Sequence, residues 1–248
     1  MPVDAYRRAL RGLSDLGPMR VWSLLVTVFG DLAPDRALDG PVLSAIMAEI
    51  GIKPEASRVA LHRLRSDGWI VSEKQGRTSL HALTAKGRSD SDAARDRIYG
   101  TEQTCDAILI VTRAPVELDP TRFAQIAPRV FVAPDDVATP EHAMRLSAGA
   151  LPPWLGTQIE ADTMRDAYKS LYAVLTEITD ELHASLSPLE TAALRVMIVH
   201  AWRRLTLKHP SLSTSAHTPE WRGHDCRALV AALLERYPRP DLDMIKAA

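Results

Sequence analysis

Residues 51–69 read GIKPEASRVALHRLRSDGW. Pro54 lacks a backbone N–H and has its φ preset, so it suits the first turn of a helix. Asp67-Gly68 closes the same helix, because Gly takes the left-handed turn that ends one. Within Pro54 to Asp67 the side chains sort by spacing. Ser57, Ala60, Leu61 and Leu64 form an inward stripe, while Glu55, Arg58, His62 and Arg65 share the opposite face. Arg63 lies to the side. A short helix with arginines on its outward face is the feature that the rest of the chain has to explain.

Reading outward from it, PVLSAIMAEI at Pro41 to Ile50 places Val42, Leu43, Ile46, Met47 and Ile50 on one helical face. Gly51 closes that helix only a few residues before Pro54, which is the short connection of a helix-turn-helix. Upstream, MRVWSLLVTVF at Met19 to Phe29 is apolar enough for a buried helix, expected to end at Gly30-Asp31. Downstream, Trp69 to Glu73 and Leu80 to Leu83 flank the polar turn Lys74-Gln75-Gly76-Arg77 and predict a β-hairpin. Three helices followed by a hairpin is the order of a winged helix-turn-helix.

That order gives the arginines a purpose. A helix fits the major groove, and an Arg fork there meets two acceptors of guanine at once. The candidate DNA contacts are Lys53, Ser57, Arg58, His62, Arg63, Arg65, Lys74 and Arg77, although the stripe turns Ser57 inward. Lys53 suits a phosphate, and Lys74 and Arg77 form the wing. The expected partner is double-stranded DNA; a winged helix that binds only protein is the alternative. Charge agrees with the first reading. The chain carries a net −1, yet residues 53–88 hold eight Lys or Arg against three acids. A basic segment on an acidic body points to an anionic partner.

With 248 residues and 46% hydrophobic content, the chain can build two or three small domains. The run Ala107 to Val111 is too short to span a bilayer, and MPVDAYRRAL has no apolar signal region. Cys105 and Cys226 make neither a disulfide framework nor a metal pair, so a reducing, cytoplasmic setting and no membrane are expected. No glycine-rich phosphate loop, nucleophile elbow or HExxH occurs, so the chain is read as a non-enzyme with no cofactor. His209, His217, His224 and Cys226 are metal-type residues at a spacing that matches no zinc pattern, so no metal is assigned. Asp106 alone is too little for the remaining enzymatic alternative, a metal-dependent nuclease.

Beyond the hairpin, Thr84 is a candidate N-cap for the polar helix TAKGRSDSDAARDRIYG, with Gly87 an awkward residue inside it. Ala107 to Thr112 and Arg129 to Pro134 read as strands, with RFAQIAP between them as a short helix candidate. Leu151 to Leu155 (LPPWL) then leads into two helical stretches, Ala161 to Leu186 and Pro188 to Lys208. In the second, Leu189, Ala193, Val196, His200, Arg203 and Leu207 share a face. His200 and Arg203 thus continue an apolar stripe and need partners, either an acid such as Glu181 or Asp162, or an anionic ligand.

Several motifs together resemble the PaaX family, repressors of phenylacetic acid degradation. They are FGD at 29–31, SRVALHRLRSDGW at 57–69, GRTSLHALTAKG at 76–87 and RIYG at 97–100. LPPWL at 151–155, HAWRR at 200–204, KHPSL at 208–212 and EWRG at 220–223 follow in the same order. The resemblance implies an α+β, mostly helical protein in three parts. These are a winged helix-turn-helix domain with a linking helix (1–100), a small ferredoxin-like, Cas2-like domain (101–150) and a helical C-terminal domain (151–248). It also implies a homodimer released from operator DNA by an aryl-CoA thioester, phenylacetyl-CoA. His200, Arg203 and Arg204 match the family's His/Arg-Arg motif and are the candidate effector-binding residues. The stretches TEQTCDA, without a Trp, and STSAHTPEW depart from the family pattern and leave open a different acidic effector.

Overall fold

The computed structural model describes residues 2–100, 106–149, 151–152, 154–212 and 216–245. Cys105 lies outside them. The chain divides into two units, one of residues 1–95, 173–201 and 229–248, the other of 96–172 and 202–228.

The first unit begins with α1 (Pro2–Asp15), α2 (Val21–Leu32), β1 (Leu38–Asp39), α3 (Gly40–Glu49) and α4 (Pro54–Ser66). Then come β2 (Ile70–Gln75), β3 (Thr78–Leu83) and most of α5 (Ala85–Tyr99). The short connection around α4 is built from two matched turns. After α3, Gly51 N–H donates to the Ala48 carbonyl and Ile52 N–H to that of Met47. After α4, Gly68 N–H donates to the Arg65 carbonyl and Trp69 N–H to that of Leu64. Both are Schellman closures, and both need a left-handed residue, supplied by Gly51 at φ 90° and Gly68 at φ 70°. Each satisfies helix-end carbonyls that would otherwise be orphaned, so the sequence itself brackets α4.

The core of this unit is Leu24, Leu25, Val28 and Phe29 of α2 with Leu43, Ile46 and Met47 of α3, Ala60 and Leu64 of α4, and Ile70 and Leu83 of the hairpin. The hairpin turn is tighter than the sequence suggests. It is the two residues Gly76-Arg77, with Gln75 opposite Thr78. Gly76 comes first and has φ 61°, the type II′ arrangement that matches strand twist. β1, too short to show in the sequence, adds a third strand in the order β1-β3-β2. Thr84 does cap α5: its hydroxyl accepts from Gly87 N–H at 3.0 Å. Gly87 is needed there, because a Cβ would sit 2.2 Å from the Trp69 carbonyl oxygen.

Gly30 does not end α2. The helix continues to Leu32 and carries Asp31 into the interior, where the carboxylate is fully buried. Arg195 meets it with Nε to Oδ2 at 2.8 Å and Nη2 to Oδ1 at 3.1 Å. Arg195 belongs to α8 (Pro188–Thr206), whose residues 188–201 lie in this unit, as do 173–181 of α7 (Asp162–Glu181) and 229–236 of α9 (Gly223–Arg236). Residues 191–200 of α8 are buried all the way round, not along one stripe as expected. Arg195 Nη1 also donates to the Leu234 and Tyr237 carbonyls at 3.0 and 2.9 Å. One guanidinium thus joins α2, α8 and the end of α9.

The second unit holds β4 (Ala107–Thr112), β5 (Ala124–Ala127), β6 (Val130–Pro134), β7 (Ala143–Ser147) and α6 (Trp154–Ile159). The sheet runs β5-β6-β4-β7 with every neighbouring pair antiparallel. The RFAQIAP segment is strand β5, not a helix. Seven residues ending at Pro128 cannot sustain a helix on their own, whereas pairing with β6 satisfies their backbone groups. Segments 113–123 and 135–142, which join the strands, contain turns and no helix. Pro115, Pro120 and Pro140 interrupt them. No helix among the described residues is long and apolar enough to cross a membrane.

Breaking the Asp31–Arg195 pair by Asp31→Ala leaves a buried cation without its carboxylate and is expected to cost about 3–5 kcal/mol. Urea unfolding measures this, with the double variant Asp31→Ala/Arg195→Met expected to recover much of the loss. A double variant no better than the single one would mean that the buried charge is not the source.

Candidate nucleic-acid interface

α4 presents the face that its spacing predicts. Glu55, Arg58, His62, Arg63 and Arg65 are exposed, and Ala60 and Leu64 are buried. Ser57 is 8% exposed and sits with the inward residues, so it leaves the set of direct DNA contacts. Arg58, His62 and Arg65 run along one side of the helix. Arg63 turns to the other flank, where its guanidinium lies 5.2 Å from the Trp22 ring and its Nε is 3.6 Å from Asp67. Lys53 stands just before the helix, and Lys74 and Arg77 are exposed on the hairpin.

Among the described residues, Lys53, Arg58, His62, Arg65, Lys74 and Arg77 form no ion pair with an acid. Of the acids in this unit, Glu49 is engaged elsewhere. Glu49 accepts from Tyr6 Oη at 3.0 Å and pairs with Arg7 at 3.2 Å. The C-terminal end of α4 approaches the hairpin: burial, and next the charge of Arg65, push the imidazole of His81 below its ordinary pKa. His81 is held neutral by this, with Ser72 Oγ 2.7 Å from its Nδ1. What faces outward is therefore a row of basic side chains on α4, with Arg77 at the hairpin tip. Val59 is also part of this surface, 71% exposed between Arg58 and His62, and the apolar pattern alone does not single it out.

The candidate effector residues take different neighbours. His200 is buried, with Nδ1 3.2 Å from the Thr27 hydroxyl of α2. Arg203 lies near Tyr99, and burial lowers its pKa. Arg204 is partly exposed. The acids expected to serve them are committed elsewhere: Glu181 pairs with Arg8 at 2.5 Å, and Asp162 with Arg165. The buried arginine of α8 that does hold a carboxylate is Arg195, which the stripe reading passed over.

The histidines of the 209–226 segment are built into the packing of the second unit. His217 stacks on Trp221 at 4.4 Å and places Nδ1 3.1 Å from Glu160 Oε1. Glu160 is buried, which raises its pKa, but hydrogen bonds from His217 and Thr218 outweigh this and hold it below the usual range. His209 Nε2 is 2.7 Å from the Tyr168 hydroxyl, and the Cys226 thiol reaches the Tyr168 carbonyl at 3.5 Å. Among the described residues no group of three or more His, Cys, Asp or Glu converges as a metal site. Asp106 stands exposed at the head of β4.

Two family models cover these regions. A PaaX-like protein model matches residues 20–87, and a PaaX-like protein C-terminal domain model matches residues 160–246. The chain belongs to the PaaX family. The first model spans α2 through the hairpin, and so contains the whole cationic surface. The chain is 26% identical over 261 residues to the Transcriptional repressor PaaX of Escherichia coli (strain K12), covering 88% of this chain and 81% of that one. Among solved structures it resembles the uncharacterized protein Rv0674 from Mycobacterium tuberculosis, with a TM-score of 0.54 and 18% identity. That match covers 87% of this chain and 96% of the other, and speaks to the fold alone.

The buried His209 makes a pH prediction for this PaaX-family fold. Desolvation first, then the charges of His217, Arg97 and Arg227, bring its pKa down to about 4 from an ordinary 6.5, against a hydrogen bond to Pro210. The unfolded chain therefore takes up a proton near pH 6.5 that the folded chain refuses until about pH 4. Stability is lost as pH falls through this window, by about 2 kcal/mol at pH 5 from this group. Denaturant midpoints at pH 7 and pH 5 for the wild type and His209→Gln should show a smaller acid loss in the variant; equal losses would assign the acid sensitivity elsewhere.

Proposed function

We propose that the chain is a bacterial transcriptional repressor, not an enzyme. It binds double-stranded operator DNA through a winged helix formed by α2, α3, α4 and the β2–β3 hairpin. The observation that carries this reading is the exposed basic row Arg58, His62 and Arg65 on α4, which forms no ion pair among the described residues and is flanked by the Arg77 turn. The similarity to a named repressor over most of the chain supports it. In this reading α4 lies in the major groove, with Arg58, His62 and Arg65 toward base edges. Lys53 and Lys74 neutralise phosphates, and Arg77 reaches the backbone or minor groove as the wing. Arg63, held by Trp22 and Asp67, positions the helix rather than reading sequence.

The antiparallel order β5-β6-β4-β7 is that of a ferredoxin-like sheet, and we read the central strands as the Cas2-like domain, with crossovers that have lost their helices. The protein acts as a homodimer on a two-fold operator. An aryl-CoA thioester, phenylacetyl-CoA or a close relative, releases it, with Arg203 and Arg204 as ligand contacts. His200, buried against Thr27, is structural in this reading.

A mobility shift on the chain's own upstream DNA tests the reading, with phenylacetyl-CoA against free CoA and phenylacetate. Release by the thioester alone is expected; a shift that no thioester reverses would remove the effector and keep the DNA. Binding should weaken steeply with salt, and Lys53→Ala should lower the slope of log K against log salt by about 1. Arg58→Ala is expected to lose about 1–3 kcal/mol and to relax sequence choice. An equal loss on every sequence would make Arg58 a phosphate contact. Arg203→Ala should retain operator binding and lose release; a variant that instead unfolds would make Arg203 structural.

A further inference from the structure

Val59 is the exposed large aliphatic side chain of α4, and the fold gives it no task. The inward positions belong to Ser57, Ala60 and Leu64, which are buried, whereas Val59 is 71% exposed. Helix propensity does not favour it either, since a β-branched residue is a poorer choice than Ala, Lys or Arg on an exposed helix face. What valine does bring is two methyl groups fixed in essentially one χ1 rotamer. These rigid methyls lie between Arg58 on one side and His62 and Arg63 one turn further on.

In the major groove the apolar group offered by a base pair is the C5-methyl of thymine; the other edges present donors and acceptors. A fixed apolar knob beside a guanidinium therefore complements a thymine methyl beside a guanine. We propose that Val59 reads the C5-methyl of a thymine at the base step adjoining the one addressed by Arg58. This rests on the reading of α4 as the groove-facing helix, and it assigns to that helix a specificity determinant that charge and hydrogen bonding do not supply. The chemistry is one of shape and desolvation: contact removes apolar surface on both partners from water, and the stiff valine loses little rotamer freedom in making it.

The test is selection from random duplexes with the full chain and with Val59→Ala, followed by measured affinities. Alanine at an exposed helical position keeps the helix, so equal thermal melts of the two proteins are the control. The wild type should select a motif with an invariant thymine next to an invariant guanine, and Val59→Ala should lose the thymine alone. Replacing that thymidine by deoxyuridine, which removes only the methyl, should weaken the wild type about fourfold, the worth of one buried methyl group. The same replacement should leave Val59→Ala nearly unchanged. An identical motif from both proteins, or no response of the wild type to deoxyuridine, overturns the assignment of Val59 and leaves DNA binding by α4 standing. Failure of the wild type to select any motif overturns the reading of α4 itself, and Val59 with it.

Discussion

Asp31 and Arg195 are both buried and hold each other there, with Arg239 Nε a further 3.6 Å contact of the carboxylate. An ionised carboxylate or guanidinium away from water is costly unless it is paired and its remaining hydrogen-bonding capacity is met. Here the pair is two-pronged, and the spare Nη1 protons go to the Leu234 and Tyr237 carbonyls. That set of bonds is satisfied in one arrangement of α2, α8 and the end of α9. It fixes α2, and α2 is the platform on which α4 rests. The Trp22 ring of α2 beneath the Arg63 guanidinium ties the same two helices at the surface. The direction in which α4 faces outward thus follows from a charge pair in the interior.

The exposed cations of α4 follow from a second constraint, the distribution of acids. Glu49 is taken by Tyr6 and Arg7, and Glu177 and Glu181 by Arg8. α1, which supplies those partners, therefore does more than bury Tyr6, Leu10 and Leu13. It occupies carboxylates on α3 and α7 with its own arginines. Arg58 and Arg65 of α4 form no ion pair among the described residues, so the face stays locally basic although the whole chain is slightly acidic.

In the second unit the histidines and tryptophans act as packing material with hydrogen-bonding edges. Tyr168 touches Trp202, His209 and Trp221, with its hydroxyl 2.7 Å from His209 Nε2 and its carbonyl accepting from the Cys226 thiol at 3.5 Å. The backbone of residues 97–100 is held into this cluster, with the Trp202 indole donating to the Ile98 carbonyl at 2.9 Å and Arg227 to that of Gly100 at 2.9 Å. Those residues include the RIYG motif. Of the side chains that suggested a metal, His209, His217 and Cys226 are thus accounted for by the ordinary rule that buried polar groups find partners.

Local chemistry alone determined α4. Pro54, Gly51 and Gly68 act within a turn of their own positions, and the alternation of inward and outward residues needs only a helical period. The hairpin, the Thr84 cap and strand β4 were legible for the same reason. The elements that were not legible depend on distant partners. β1 is two residues long and exists because β3 pairs with it, and β5 takes strand form because β6 offers an edge. Gly30 looked like a stop because propensity favours one there, but the buried bond from Asp31 to Arg195, 164 positions away, carries the helix through. Of the candidate site, sequence placed Arg58, His62, Arg65 and the wing cations correctly on the surface. Only the folded chain showed that Arg63 is tied to Trp22 and Asp67, and that His200 turns to Thr27. Helical period and turn chemistry are written in neighbouring residues, whereas the partner of a buried charge is chosen by whichever group the fold brings within reach.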